Sequence, residues 1–303
     1  MKRLAGLVLA LLGTASMAQD IIRFQAWSNQ NLNPVRAALF LPDRGPAPHA
    51  LIITQHGSSP DEKLGRCDFA GKGPDCIRTD TFSLRILRRA LEQGFAVAVI
   101  DAFTDIGASK DNKLGFPNAT SYAHTLRDQL AQDPRLDSDR FFYTGWSYGG
   151  QSVINTIARP LPRIWKAIAP VEAGCQFQPA ARKLPYPSLF VMAEKSHYPP
   201  GPCLYLHEQL LEAGSDSKAV VIPKADHHFS LSPASIGPGT SLNGCTDNFV
   251  IITGQSWRFK DGTPTNPREA WARCATGWGA GGGPPHKLDE AVGLVIDFFI
   301  SQR

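Results

Sequence analysis

The sequence has little excess charge of either sign. Its 303 residues carry 31 Lys and Arg against 27 Asp and Glu, a net charge of +4. This falls to +2 once Lys2 and Arg3 leave with the leader described below. Such a near-balance gives no electrostatic case for nucleic acid or for an anionic membrane surface. Beyond the leader, no stretch reaches the ~18 consecutive apolar residues that crossing a bilayer requires, so no stable membrane insertion is expected. The cysteines form no Cys-x-x-Cys pair, which argues against a zinc or thioredoxin-type site. No phosphate-binding G-x-x-x-x-G-K-[S/T] is present. His207-Glu208-Gln209-Leu210-Leu211 begins like a zinc-protease helix but has Leu211 where a second His is needed. Gly279–Gly283 has no strand-to-helix setting and reads as a linker. No internal repeat is visible. Composition is ordinary, 43% hydrophobic and 19% charged, which excludes a disordered or collagen-like chain.

The start of the chain is a targeting segment. Met1-Lys2-Arg3 is basic, Leu4 to Leu12 is apolar, and Ser16-Met17-Ala18 offers small residues before a cleavage point at Gln19. This is the pattern of a secretory signal peptide over residues 1–18. The mature chain, 19–303, is then expected to be secreted or periplasmic. No Cys follows the cleavage point, so a lipoprotein is not expected. In an oxidising compartment the six cysteines predict three disulfides, although six cysteines admit fifteen pairings. The favoured set is Cys67–Cys76 and Cys245–Cys274, each closing a local loop, with Cys175–Cys203 tying together two loops beyond strand ends. Asn118-Ala119-Thr120 is a glycosylation sequon by letter only.

Apolar periodicity predicts alternating strands and helices. Strands are expected at Ile21–Trp27, Arg36–Leu41, His49–Gln55, Phe95–Ile100, Arg140–Thr144, Lys166–Val171, Ser188–Ala193 and Lys218–Ile222. Helices are expected at Thr81–Gln93, Asn118–Gln132, Gln151–Ala158, Cys203–Ala213 and Lys287–Gln302. Many strands are continuous apolar runs, the mark of a mostly parallel sheet with helices on both faces. One α/β domain over 19–303 is expected. Residues 231–286 are rich in Gly and Pro, with Trp257, Trp271, Trp278 and two cysteines. They read as a disulfide-held insertion, and as a surface excursion rather than a cap over a substrate site.

The strongest chemical signal is Gly145-Trp146-Ser147-Tyr148-Gly149, between an apolar strand and a helical stretch. A serine on so sharp a turn needs glycines on both sides, and the turn lifts its hydroxyl above the sheet. A serine hydroxyl is a poor nucleophile until a base takes its proton. That base should come late in the chain, and Ala225-Asp226-His227-His228-Phe229 lies just beyond the last strand of the sheet. An oxyanion needs two donors, expected from the amides of Tyr148 and of Ser58, the latter in the loop after His56-Gly57.

On these residues, with Asp101-Ala102-Phe103-Thr104 after the intervening strand, the sequence resembles the α/β-hydrolase superfamily, and within it the dienelactone hydrolase-like group. The A-x-H-x-F ending of that group selects His227 over His228. Trp165-Lys166-Ala167-Ile168-Ala169-Pro170-Val171 resembles the matching segment of secreted polyester depolymerase and feruloyl esterase relatives. Dienelactone hydrolases use a cysteine nucleophile; Ser147 here implies esters more generally. One departure stands out. The family's G-E-x-D, which carries the triad acid, reads Ala193-Glu194-Lys195-Ser196. Ser196 cannot supply the charge that steadies an imidazolium. The replacement is expected to be Glu172, at the end of the preceding strand, with Glu194 as the alternative and Asp226 pointing elsewhere. The resemblance implies a serine hydrolase acting on small or polymeric esters through an acyl-enzyme, with no cofactor and no metal. The other readings are a non-catalytic binding protein on the same scaffold, a polyester depolymerase or feruloyl esterase-like activity, or a peptidase.

Overall fold

The computed structural model describes residues 19–26, 34–69, 73–103, 119–158, 164–231, 235–280 and 283–303. Residues 1–18, which the sequence analysis reads as a signal peptide, lie outside the described residues, as do Trp27, Thr104, the sequon residue Asn118 and Gly281-Gly282 of the glycine run.

Strands β1 (Gln19–Phe24), β2 (Val35–Phe40) and β3 (His49–Gln55) come first. The hairpin β4 (Glu62–Leu64) and β5 (Ile77–Thr79) precedes helix α1 (Thr81–Glu92) and strand β6 (Ala96–Asp101). Helix α2 (Thr120–Leu130) leads to β7 (Leu136–Trp146), which turns directly into α3 (Tyr148–Ile157). Strands β8 (Ala167–Val171) and β9 (Ser188–Ala193), helix α4 (Gly201–Glu212) and strand β10 (Ser217–Ile222) follow. Among the described residues the main sheet has eight strands in the order β1-β2-β6-β3-β7-β8-β9-β10. β2 runs antiparallel to both neighbours, and the strands from β6 to β10 are parallel.

The strands are buried on both faces, as β3 and β6 illustrate with Leu51, Ile52, Ile53, Val97, Ala98 and Val99 at no more than 0% exposure. That explains why they read as continuous apolar runs rather than alternating ones. One layer packs Ile86 and Leu87 of α1 and later-chain Val295 and Phe299 against Val97, Val99 and Phe142. The other packs Leu126 of α2, Ile154 of α3 and Leu206 of α4 against Leu51, Ala98 and Phe190. All parallel strands therefore end on one edge of the sheet, where a crevice for ligands forms in such folds.

Of the boundaries that differ from expectation, two bear on the serine turn. β7 is eleven residues long, beginning at Leu136 rather than Arg140. Its first turn of chain, Asp137-Ser138-Asp139, is polar because it lies at the partly exposed start of the strand. α3 begins at Tyr148 rather than Gln151. Gly149 and Gly150 read as loop residues, yet they sit in the helix because nothing larger fits there, as shown below.

The segment 231–286 holds more regular structure than its composition suggests. It contains β11 (Ser235–Ser241), β12 (Val250–Thr253), β13 (Ser256–Phe259), β14 (Pro264–Thr265), α5 (Pro267–Cys274) and β15 (Thr276–Ala280), before the final helix α6 (Leu288–Ser301). Leu242, Val250, Ile252, Phe259, Ala270 and Cys274 form a small core of its own. Strands of two to seven residues escape periodicity because so few positions cannot show a pattern. The three disulfides pair Cys67–Cys76, Cys175–Cys203 and Cys245–Cys274, with Cα separations of 4.7, 5.0 and 4.9 Å. Among the described residues no helix is long and apolar enough to cross a membrane.

Candidate active site

Ser147 sits between β7 and α3 with φ 56° and ψ −114°, a conformation L-residues rarely adopt. The glycines around it permit the turn. A Cβ on Gly149 would lie 2.1 Å from the Gln55 carbonyl oxygen, and one on Gly145 would lie 2.6 Å from the Gly149 carbonyl carbon. On Gly150 it would meet the Val171 carbonyl oxygen at 2.5 Å. The helix start is thus pressed against the ends of β3 and β8, and the Ser147 hydroxyl is left above them.

His227 Nε2 lies 3.0 Å from Ser147 Oγ, and its Nδ1 lies 2.9 Å from Glu172 Oε2. Glu172 follows directly on β8 with φ 49°. Its other carboxylate oxygen accepts the Ala193 N–H, which fixes the carboxylate's rotation. Ser196 is close by. Its hydroxyl accepts the Tyr198 N–H at 3.0 Å, lies 3.5 Å from His227 Nδ1 and bonds Glu172. A hydroxyl therefore occupies the position of the missing aspartate and supports the carboxylate from the next strand. Glu194 is elsewhere: it accepts the Lys224 N–H at 2.7 Å and pairs with Lys195 at 3.2 Å, half-exposed. Asp226 locks the histidine loop, accepting from the His228 and Ser230 N–H groups and the Ser230 hydroxyl at 2.8–2.9 Å.

Both members of the His227–Glu172 pair are buried. Burial drives each toward its uncharged form, raising the Glu172 carboxyl above the usual carboxylate range and lowering the His227 imidazole below its ordinary value. The Ser196 hydroxyl and the Ala193 N–H oppose this at Glu172 and favour the carboxylate, and His228 adds to the lowering at His227. A neutral imidazole whose Nδ1–H is donated to the carboxylate leaves Nε2 free to accept from Ser147. The indole Nε1 of Trp146 donates to the His227 carbonyl at 3.0 Å, tying the histidine loop to the serine turn.

The loop after β3 is held from two sides. His56 Nε2 accepts the Ala102 N–H at 3.0 Å, so its proton is on Nδ1, which faces the Gly57 carbonyl at 2.6 Å. The Gly57 N–H is donated to Asp80 Oδ2 at 2.7 Å, and the same side chain caps α1 through the Ser83 N–H. A trans peptide places C=O and N–H on opposite sides. Holding the Gly57 carbonyl therefore sets where the Ser58 N–H points. Tyr148 is the first residue of α3, and the N–H groups of a helix's first turn have no acceptor within the helix. Ser58, Tyr148 and Ser147 line one cavity of about 670 Å³.

That cavity corrects the expectation for residues 231–286. Leu242, Asn243, Trp257 and Trp271 line it together with Ser147 and His227, so the segment reaches the serine rather than lying apart from it. It does so because its strand β12 pairs with the loop after β8, Phe177 bridging Ile252. Sequence reading gave no signal for this pairing, nor for the contact of the Ser196 hydroxyl with Glu172. His56 and Asp80 could have been suspected from a buried His-Gly at a strand end and an Asp before a helix. Among the described residues no group of three or more His, Cys, Asp or Glu is placed to hold a metal ion.

No protein-family model and no curated protein matches the sequence. Solved structures do. An acylaminoacyl peptidase of Pyrococcus horikoshii is 14% identical with a TM-score of 0.52, over 71% of this chain and 38% of that one. A puromycin hydrolase is 14% identical with a TM-score of 0.50, over 70% and 36%. A Klebsiella pneumoniae protein assigned as a dienelactone hydrolase is 17% identical with a TM-score of 0.49, over 70% and 88%. The chain thus spans little more than a third of the length of the first two. With the strand order β1-β2-β6-β3-β7-β8-β9-β10, the reversed β2 and a serine at the β7–α3 turn, the chain has the α/β-hydrolase fold.

Proposed function

We propose that this chain is a secreted or periplasmic serine hydrolase that cleaves carboxylic esters through an acyl-enzyme, with a single hydrolase domain over 19–303 after removal of 1–18. The observation that carries the reading is the unbroken chain Ser147 Oγ–His227 Nε2 and His227 Nδ1–Glu172 Oε2, at 3.0 and 2.9 Å. Ser147 attacks the ester carbonyl while His227 takes its proton. The amides of Ser58 and Tyr148 receive the negative charge that develops on the carbonyl oxygen. His227 passes the proton to the leaving alcohol, and Glu172 balances the transient imidazolium. Water then enters, gives a proton to His227 and releases the acid from Ser147. The steps use side chains and amides alone, so no cofactor is called for. Three disulfides support an oxidising compartment.

A fluorophosphonate probe tests the nucleophile. It is expected to label the wild type and not Ser147→Ala, whose turnover of p-nitrophenyl acetate should fall by about 10⁶. An unlabelled, inactive wild type would instead favour a binding protein on this scaffold. Peptide nitroanilides offered alongside esters separate the esterase from the peptidase reading, since both use the same groups.

A further inference from the structure

Exposed aromatic rings stand at the mouth of the Ser147 cavity. Phe177 is 56% exposed and Trp271 40% exposed, and with half-buried Trp257 they line it. Isolated exposed apolar side chains need no explanation, but a cluster at one cavity does.

These rings are carried on backbone that is tied down. Phe177 lies two residues after Cys175, which is bonded to Cys203. Its neighbours pair with β12, Ile252 N–H donating to the Gln176 carbonyl at 2.8 Å and Gln178 N–H to the Ile252 carbonyl at 3.0 Å. Its own carbonyl accepts Gln151 Nε2 at 3.0 Å. Trp257 pairs across from the same Ile252, so Phe177 and Trp257 flank one residue in one row. Trp271 lies on α5 three residues before Cys274, which is bonded to Cys245. Two disulfides and a strip of sheet therefore hold apolar rings out toward solvent. Ordering them before a ligand arrives removes an entropy cost from binding.

The chemistry of the lining narrows the ligand. Among the described residues it contains no Asp, Glu, Lys or Arg, and its polar side chains are amides, hydroxyls and imidazoles such as Gln151, Asn243 and His197. Burial holds the His197 imidazole down to about 3, so it adds no charge at neutral pH. Flat, rigid faces prefer flat partners over puckered ones of equal size.

We propose that Phe177, Trp257 and Trp271 form a subsite for an uncharged aromatic ring carried by the ester substrate. This rests on the Ser147 cavity being the substrate site, and the test separates the two ideas. Calorimetric titration of Ser147→Ala, which cannot turn over ester, compares ethyl benzoate with ethyl cyclohexanecarboxylate, a saturated ring of the same size. Ethyl benzoate is expected to bind at least fivefold more tightly. Phe177→Leu and Trp271→Leu, each placed in the Ser147→Ala background, should each reduce that preference, and the two together should bring it below twofold. Phe177→Leu replaces an exposed ring and so is read even where the tryptophan variant fails to fold. Equal binding of the two esters, or a preference that survives both substitutions, overturns the subsite. Wild-type kcat/KM on the same esters reads the other idea. Aryl preference in binding with no turnover of either ester keeps the subsite and removes the hydrolase. Turnover of both esters with equal binding keeps the hydrolase and removes the subsite.

Discussion

Glu172→Gln is the most discriminating substitution, because the geometry dictates which way the new amide must sit. One carboxylate oxygen accepts the Ala193 N–H, and the other faces His227 Nδ1 at 2.9 Å. In the glutamine variant the carbonyl oxygen has to stay on the Ala193 N–H, since an amide NH₂ there would oppose another donor. The NH₂ group then faces His227 Nδ1 and turns it into an acceptor. The imidazole proton moves to Nε2, which lies 3.0 Å from Ser147 Oγ and can no longer take its proton. A wrong tautomer of this kind lowers turnover by about 10⁴, equivalent to about 5 kcal/mol of barrier. Stopped-flow or steady-state hydrolysis of p-nitrophenyl acetate reads kcat directly. The pH profile gives an independent check. With the carboxyl gone, burial and His228 still oppose the imidazolium. A base whose protonated form is disfavoured stays neutral to lower pH, so the acid limb of the residual kcat/KM should move below that of the wild type. Glu194→Gln, half-exposed and bound to Lys224 and Lys195, should stay within about threefold of wild type on the same assay. A kcat loss under tenfold in Glu172→Gln, or a larger loss in Glu194→Gln, would refute the assignment.

Three further outcomes follow from the packing. Asp80→Asn keeps an acceptor for the Ser83 N–H but places an NH₂ against the Gly57 N–H. Kinetics should show kcat down by at least about tenfold with KM little changed, because losing one oxyanion donor outright costs 10²–10³; an unchanged kcat would free the Gly57 loop of any dependence on Asp80. Gly149→Ala brings a Cβ to 2.1 Å from the Gln55 carbonyl oxygen, and urea unfolding should register a loss on the order of 3 kcal/mol, whereas a wild-type midpoint would mean that α3 shifts freely. Replacing Cys245 and Cys274 together by Ala opens a link between residues 29 apart, and the chain-entropy cost of about 3–4 kcal/mol should appear as a lower denaturation midpoint. The same variant should raise KM for aryl esters, since Trp271 sits three residues from the lost bridge.

Much of the fold was legible because its determinants are local. Continuous apolar stretches such as Phe95–Ile100 announce strands covered on both faces, and Gly145-Trp146-Ser147-Tyr148-Gly149 announces a tight strand-to-helix turn because side chains are excluded at its glycines. The histidine loop was similarly marked by its place after β10. The small strands of 231–286 were not legible, because hairpins of two to seven residues depend on partners that the local pattern does not name.

From residue order alone came the parallel sheet, the serine on its turn, a pair of candidate histidines downstream and a favoured pairing of the cysteines; the choice of His227 came from the resemblance. Which carboxylate meets His227 was a different kind of question. Glu172, Glu194 and Asp226 all lie near strand ends, and only the parallel register of β8, β9 and β10, with Glu172 turned to φ 49°, brings one of them within 2.9 Å. The aromatic wall over Ser147 was settled likewise by Phe177 meeting Ile252, residues 75 positions apart. Contacts between distant segments depend on how whole strands align in space, and that alignment exists only in the folded molecule.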